Sequence, residues 1–292
     1  MRTRPDRCPG VWRPWPADDG ALVRVRIPGG RVSLPALRTL LDVAEEYGDG
    51  RLRLTGRANL QLRGLPWADE ERLPESVLEA LVVSGLVSRS HDLARNILMS
   101  PQTGLAGGRA DLRPVLAALD EALLADPALG ALPGRFQFAL DDGRGDLFDR
   151  HLDLGLVALD GERAQVRVGR QWGRIVTLRE PAGAAAALTD LAHRFLGVRG
   201  TGPQSAWHVA ELAAPLLVAT EERAPEPDAL VVQGPLPFGH VPGGHHQPIP
   251  PDGAITGDDL TAWSLRLGAR ATVVLTPFGG VLLPQTHPEE TR

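Results

Sequence analysis

The chain has 292 residues, a formal net charge of −5 and an isoelectric point near 5.9, with 43% hydrophobic and 23% charged residues. That length can bury a substantial core without disulfides, and the acidic balance gives no overall attraction to nucleic acid or to an anionic membrane. All 31 basic side chains are arginine, which excludes lysine Schiff-base and P-loop chemistry, and the single cysteine, Cys8, excludes a disulfide framework.

No run approaches about 18 consecutive apolar residues, so no transmembrane helix is expected. Met1–Pro16 is rich in Arg and Pro and lacks an apolar h-region, so no secretory signal is expected and a cytoplasmic location follows. Aromatics make up 4% of the chain, too few for base-stacking platforms.

In chain order, Ala21–Pro28 alternates apolar residues with arginine, the period-2 mark of a half-buried strand. Ser33 reads as the N-cap of a helix running to about Tyr47, with Leu34, Leu37, Leu40, Leu41 and Ala44 on one stripe. Two short alternating runs follow, Arg51–Thr55 and Asn59–Arg63. Leu73–Ser84 and Leu112–Ala125 read as helices, and Arg95–Gly108 between them as a loop. Arg135–Leu140, Leu154–Leu159 and Ala164–Val168 read as strands, with Asp141-Asp142-Gly143 as a turn. Ala182–Leu196 is an Ala-rich helix, Leu212–Thr220 is apolar, and Glu221–Asp228 has the composition of a linker. Beyond it, Leu230–Gly234 is a strand candidate. Thr256 caps a helix through about Leu267, and Arg270–Leu275 and Gly280–Leu283 alternate as strands.

The end of the chain repeats its beginning. Thr256 follows Ser33 by 223 positions and Thr276 follows Thr55 by 221. Leu52–Leu62 and Val273–Leu283 share a strand–Thr–turn–strand layout, a spacing too long for a solenoid and indicative of two related half-domains that pack as a pair.

Three segments place arginine where core packing does not require it. In Thr55–Arg63, a strand entered at Asn59 puts Asn59, Gln61 and Arg63 on one face, with Arg57 just before it. Guanidinium forks suit several carboxylates at once; the plain alternative is a solvated sheet face. Arg95-Asn96 leads into a Ser/Pro/Gly loop and reads equally as a ligand rim or a turn. In Leu132–Leu140, Phe136 and Phe138 alternate with Arg135 and Gln137, as in an ordinary half-buried strand.

In this order, and with the duplication, the three segments resemble the nitrite/sulfite reductase superfamily of tetrapyrrole enzymes. Arg7-Cys8-Pro9-Gly10, Asp141-Asp142-Gly143 and Leu275-Thr276-Pro277-Phe278 look most like its precorrin-3B synthase branch. The resemblance implies an α+β fold, with ferredoxin-like half-domains at 15–68 and 229–286 and a mixed α/β domain at 72–220. It implies a tetrapyrrole site formed by Arg57, Asn59, Gln61, Arg95, Asn96, Arg135 and Gln137, and a role in aerobic cobalamin synthesis: oxygen-dependent hydroxylation and lactone formation on precorrin-3A. The implied partner is a precorrin-type tetrapyrrole, with neither nucleic acid nor membrane involved.

The departures carry as much information. The family's anion-holding lysines correspond here to Arg135 and Gln137, which argues against nitrite or sulfite as substrate. Phe278-Gly279 stands where the branch carries Trp-Arg. The resemblance implies siroheme and a 4Fe–4S cluster, yet no cysteine-rich lobe occurs and Cys8 alone cannot replace four thiolates. The expectation is therefore a truncated or split oxidoreductase whose redox centre comes from a separate subunit. The alternative is a non-catalytic tetrapyrrole carrier or scaffold that has lost the redox lobe. No catalytic residue is assigned. His240, His245 and His246 form the one dense histidine group, but they read as part of a Gly/Pro loop, a poor metal cage, and no metal ligand is assigned.

Overall fold

A computed structural model describes residues 8–285, apart from 70, 218–222, 229 and 251. Of the features expected from sequence, Met1–Arg7, residues 218–220 of the apolar run, 221–222 of the linker and everything beyond 285 lie outside the described residues. The rest divides into two compact units. One joins Pro9–Asp92 to the segment from Leu236 onward, and the other is built mainly from Leu93–Pro235. No described helix is long and apolar enough to cross a membrane.

In the first unit the chain opens with a hairpin, β1 (Trp15–Ala17) and β2 (Gly20–Val25), then a short strand β3 (Arg31–Ser33) leading into α1 (Leu34–Tyr47). Ser33 caps α1 by accepting the Ala36 N–H at 3.3 Å, and the expected leucine stripe is buried. Strands β4 (Leu52–Leu54) and β5 (Leu60–Leu65) follow, then α2 (Glu75–Val83), which packs on α1.

The second unit is a five-stranded mixed sheet: β6 (Ile97–Met99), β7 (Phe138–Asp141), β8 (Leu154–Ala158), β9 (Arg163–Val168) and β10 (Gln171–Thr177). β6, β7 and β8 run parallel; β9 and β10 return antiparallel. Helices α3 (Arg113–Ala125) and α4 (Pro181–Val198) pack against each other over a core that includes Phe136, Phe138 and Phe195.

The sequence reading missed β6 and β10. All three residues of β6 are buried, so it shows none of the alternation that marks a half-solvated strand. β10 carries a register irregularity between Trp172 and Ile175 that breaks its period. The described part of the expected linker is anchored: Ala224 N–H donates to the Trp172 carbonyl, and Pro225 accepts from Gln165 Nε2.

The closing segment returns to the first unit. Leu230–Gly234 forms no strand; instead β11 (Gly239–Val241) and β12 (Gly244–Pro248) make a hairpin where a flexible loop is expected. A two-residue strand β13 (Ala254–Ile255), helix α5 (Gly257–Leu267), β14 (Thr272–Leu275) and β15 (Gly280–Pro284) complete it. Thr256 and Asp259 form a capping box at the start of α5.

Two five-stranded sheets result, in the orders β1-β2-β5-β4-β13 and β11-β12-β15-β14-β3. Each half-domain hands the short strand before its helix to the edge of the other half's sheet. β3 pairs with β14 through Thr272↔Ser33, and β13 pairs with β4 through Ile255↔Leu52. The architecture is α+β: duplicated ferredoxin-like halves, interlocked by that exchange, with a mixed α/β unit inserted between them in sequence.

Candidate functional site

The Thr55 motif folds as a tight turn between β4 and β5. Thr55 Oγ1 accepts the Asn59 N–H at 3.1 Å and the Arg57 N–H at 3.4 Å, while Thr55 N–H donates to the Asn59 carbonyl at 2.9 Å. Ala58 takes φ 54°, a left-handed conformation uncommon for alanine and held here by the turn's hydrogen bonds. Arg57 stands half-buried at the tip, and Gln61 is half-exposed on β5 opposite buried Leu60 and Leu62.

Asn59 does not share that outward face. It is buried, and its Oδ1 accepts the Ile27 N–H at 3.0 Å. β2 ends at Val25, so Ile27 N–H lacks a ladder partner and the Asn59 side chain supplies one.

The register shows more arginine than the motif names. Arg24 on β2 is paired with Gln61 on β5, and Gln61 with Arg53 on β4, so the three form one row across the sheet. Arg53 ion-pairs with Asp49, and Arg63 makes a bidentate bond to Asp19 at 3.0 and 3.1 Å. Arg26, buried, donates to the Pro9 carbonyl at 2.6 Å. Arg24, Arg26 and Arg53 were visible in sequence only as the polar half of a strand alternation. The alignment of Arg24 with Arg53 through Gln61 needed the cross-strand register.

The middle unit collects the other four residues. Arg95 forms a two-point ion pair with Asp120, both bonds at 2.7 Å. Asn96 Nδ2 donates to the carbonyls of Leu93, Gly134 and Phe136, stitching the Arg95 loop to the Arg135 segment. Gln137 is buried, and its backbone N–H donates to Asp153 Oδ2 at 2.8 Å. Arg135 is exposed, its guanidinium 5.2 Å from the ring centre of Trp207. Phe136 and Gln137 are both buried, because the strand begins only at Phe138 and the segment before it runs through the core. The structure thus gathers Arg57 with Gln61 in one unit, and Arg95, Asn96, Arg135 and Gln137 in the other.

Beside this segment lies a carboxylate cluster that sequence reading saw only as a turn. Asp141 accepts the N–H groups of Gly143, Gly145 and Leu147, and Asp142 holds Arg144 through two bonds. Burial pushes Asp146 up to about 7, against a 2.7 Å hydrogen bond from Ser100 Oγ. His208, isolated in sequence, meets its acid here: Nδ1 lies 3.3 Å from Asp153 Oδ2. Ser205 Oγ accepts from Arg199 Nη2 at 3.2 Å.

The three hairpin histidines do not converge. His240 and His245 face each other across β11 and β12, ring centres 4.9 Å apart. His246, on the opposite face, is buried between the carbonyls of Leu236 and Pro237 and the Thr276 hydroxyl.

Residues 16–80 match the model of the nitrite/sulfite reductase ferredoxin-like half domain. That match falls on the first half-domain. Over 119 residues the chain is 36% identical to a precorrin-3B synthase of Sinorhizobium sp, covering 40% of this chain and 24% of that protein. Over 141 residues it is 37% identical to a ferredoxin–nitrite reductase of Synechococcus elongatus, covering 46% and 27%. The matched stretch thus spans about a quarter of each of these relatives. The Mycobacterium tuberculosis NirA structure superposes with a TM-score of 0.61 at 18% identity, over 97% of this chain and 60% of that one, a likeness of fold. The likeness to the expected superfamily and the α+β architecture are both borne out.

Proposed function

We propose that the chain binds an acidic, precorrin-type tetrapyrrole in the cytoplasm and is the ring-binding part of a precorrin-3B synthase-like oxidoreductase. The observation that carries this reading is the Arg24–Gln61–Arg53 row with Arg57 at the adjoining turn. Uroporphyrin-type rings carry up to eight carboxylates, and planar guanidinium groups bind carboxylates in two-point contacts. Similarity to a precorrin-3B synthase supports the choice of ring. Arg57 and Gln61 reach the ligand. Asn59, Arg95, Asn96 and Gln137 act through the backbone they hold in place.

The donor set fits a polycarboxylate macrocycle, siroheme included, and such a ring would supply the redox chemistry when bound. It does not fit a 4Fe–4S cluster: four thiolates are needed, and the sequence has one cysteine, buried Cys8. The four thiolates of such a cluster would come from outside these 292 residues, and a separate redox subunit is the proposed source. The second reading is a carrier or scaffold that binds the ring without turnover.

Anaerobic absorbance titration of the purified chain with a uroporphyrin-type tetrapyrrole tests the first step. Saturable binding, weakened at least tenfold in Arg57→Ala (about 1.4 kcal/mol), is expected. Equal binding by both proteins would remove Arg57 from the site. Conversion of precorrin-3A in the presence of oxygen then separates enzyme from carrier.

A further inference from the structure

We propose that His151, Asp153 and His208 form a binding site for a divalent first-row transition-metal ion, with zinc as the representative. The ligand atoms of the three side chains all lie within 4.8 Å of one another. The set mixes two imidazoles with one carboxylate, a donor combination that suits zinc or iron(II) rather than calcium or magnesium, which favour all-oxygen shells. It lies entirely within the α/β unit and does not depend on the tetrapyrrole reading.

The geometry is that of a held carboxylate with two imidazoles beside it. Asp153 is fully buried, just before β8, and two backbone groups fix its orientation. Gln137 N–H donates to Oδ2 and Val209 N–H to Oδ1, each at 2.8 Å. Such backbone donors set the direction of a ligating carboxylate much as outer-shell partners do in metal sites. His208 Nδ1 stands 3.3 Å from Oδ2, long for a charge-assisted hydrogen bond. Two ligands each about 2.0–2.1 Å from a tetrahedral zinc stand roughly 3.3–3.4 Å apart, so the pair is already spaced for an ion. The His151 and His208 rings lie with centres 4.3 Å apart and planes inclined by 47°.

Charge points the same way. Among the described residues Asp153 has no arginine ion pair, although arginine is the chain's entire basic complement; its partner is an imidazole. A divalent ion neutralises that buried carboxylate and takes both rings as neutral ligands. His151 is exposed, which gives the ion an entry path and leaves a fourth coordination position to water. Sequence spacing shows only His151-x-Asp153; His208 lies 55 positions beyond Asp153 and is brought in by the turn before Val209.

The test uses the full chain, stripped with EDTA and titrated with Co²⁺ and then Zn²⁺. The expected result is one equivalent of Co²⁺ giving the visible absorption bands of a low-coordinate N/O site, displaced by one equivalent of Zn²⁺. His151→Ala, at an exposed position that leaves the core intact, weakens Zn²⁺ at least tenfold, and His208→Ala does the same. His245→Ala, on the hairpin of the other unit, binds as the wild type does. Zn²⁺ also raises the Tm of the wild type but not of His151→Ala. Absence of saturable binding, or unaltered binding by folded His151→Ala, overturns the proposal. Loss of binding in His245→Ala moves the ion to the hairpin and overturns it equally.

Discussion

The two half-domains share one backbone plan and differ in what they put on the same face. In the first, the row running from β2 through β5 to β4 is Arg24–Gln61–Arg53; in the second, the row from β12 through β15 to β14 is His246–Leu282–Val274, continued by Arg31 of the exchanged strand. At the turn tip Arg57 corresponds to Phe278, and the buried Asn59 to Gly280. Both turns close on a threonine. Thr276 N–H donates to the Gly280 carbonyl at 2.8 Å, as Thr55 N–H does to Asn59, and Gly279 takes the left-handed conformation that Ala58 takes in the first half. Even the strand exit is solved twice. Ile27 N–H finds the Asn59 side chain, whereas Ile249 N–H finds the Gly279 carbonyl at 3.0 Å. The fold therefore does not require the arginine row, since its twin is built without one.

The largest effect is expected where the halves interlock. Gly30, just before β3, has φ 69°, and a Cβ there would collide with the Leu275 carbonyl on β14. Gly30→Ala adds left-handed strain to a backbone clash and should cost about 3 kcal/mol or more, read as a drop in the urea midpoint. A change below about 0.5 kcal/mol would mean that the exchanged strand tolerates displacement and that the halves are less tightly locked than their pairing suggests.

Asn59→Ala comes next. It leaves the buried Ile27 N–H without its acceptor and should cost about 1–3 kcal/mol by the same measurement. Because the second half satisfies its equivalent group through backbone, Gly280→Ala has a different signature. Its Cβ would press on His246, Gln247 and Phe238, so the loss comes from overpacking, about 1–3 kcal/mol, with no lost hydrogen bond.

A pH-dependent effect separates the rows further. Burial lowers the pKa of His246 below the ordinary 6.5. Below that value the unfolded chain takes up a proton that the folded chain resists. This contribution to stability is thus present above the unfolded pKa and is lost as pH falls towards the depressed folded one. Tm should fall on the acid side of pH 6.5, and less steeply in His246→Gln, which cannot titrate.

Much of this was legible in the sequence, and the parts that were not share a cause. Helices announced themselves through Ser33 and Thr256 as caps and the leucine stripe of α1, all local signals. The duplication was readable from Thr55 and Thr276. Strand exchange, the Arg24–Gln61–Arg53 row and the inward turn of Asn59 depend on pairings between distant residues, which periodicity does not encode. The histidine hairpin was missed because Pro242-Gly243-Gly244 reads as a loop, although Gly-rich residues are also what a tight β-turn requires. Asp153 and His208 come together only through tertiary structure.

The smallest effect is expected on the outward face itself. Arg63 and Asp19 make a bidentate pair at 3.0 and 3.1 Å, and the arginine holds the Asp19 carboxyl below its ordinary range, yet both side chains are about a third or more exposed. Exposed pairs contribute about 0–1 kcal/mol, less in salt. Arg63→Ala should therefore move Tm little, and not at all at high ionic strength, by thermal unfolding followed in parallel at two salt concentrations. A large, salt-insensitive loss would make the face a structural element and weaken the contrast between the halves. A small loss means that this ion pair does little to hold the first sheet together, as expected if the outward arginines of that half serve the proposed anionic ligand.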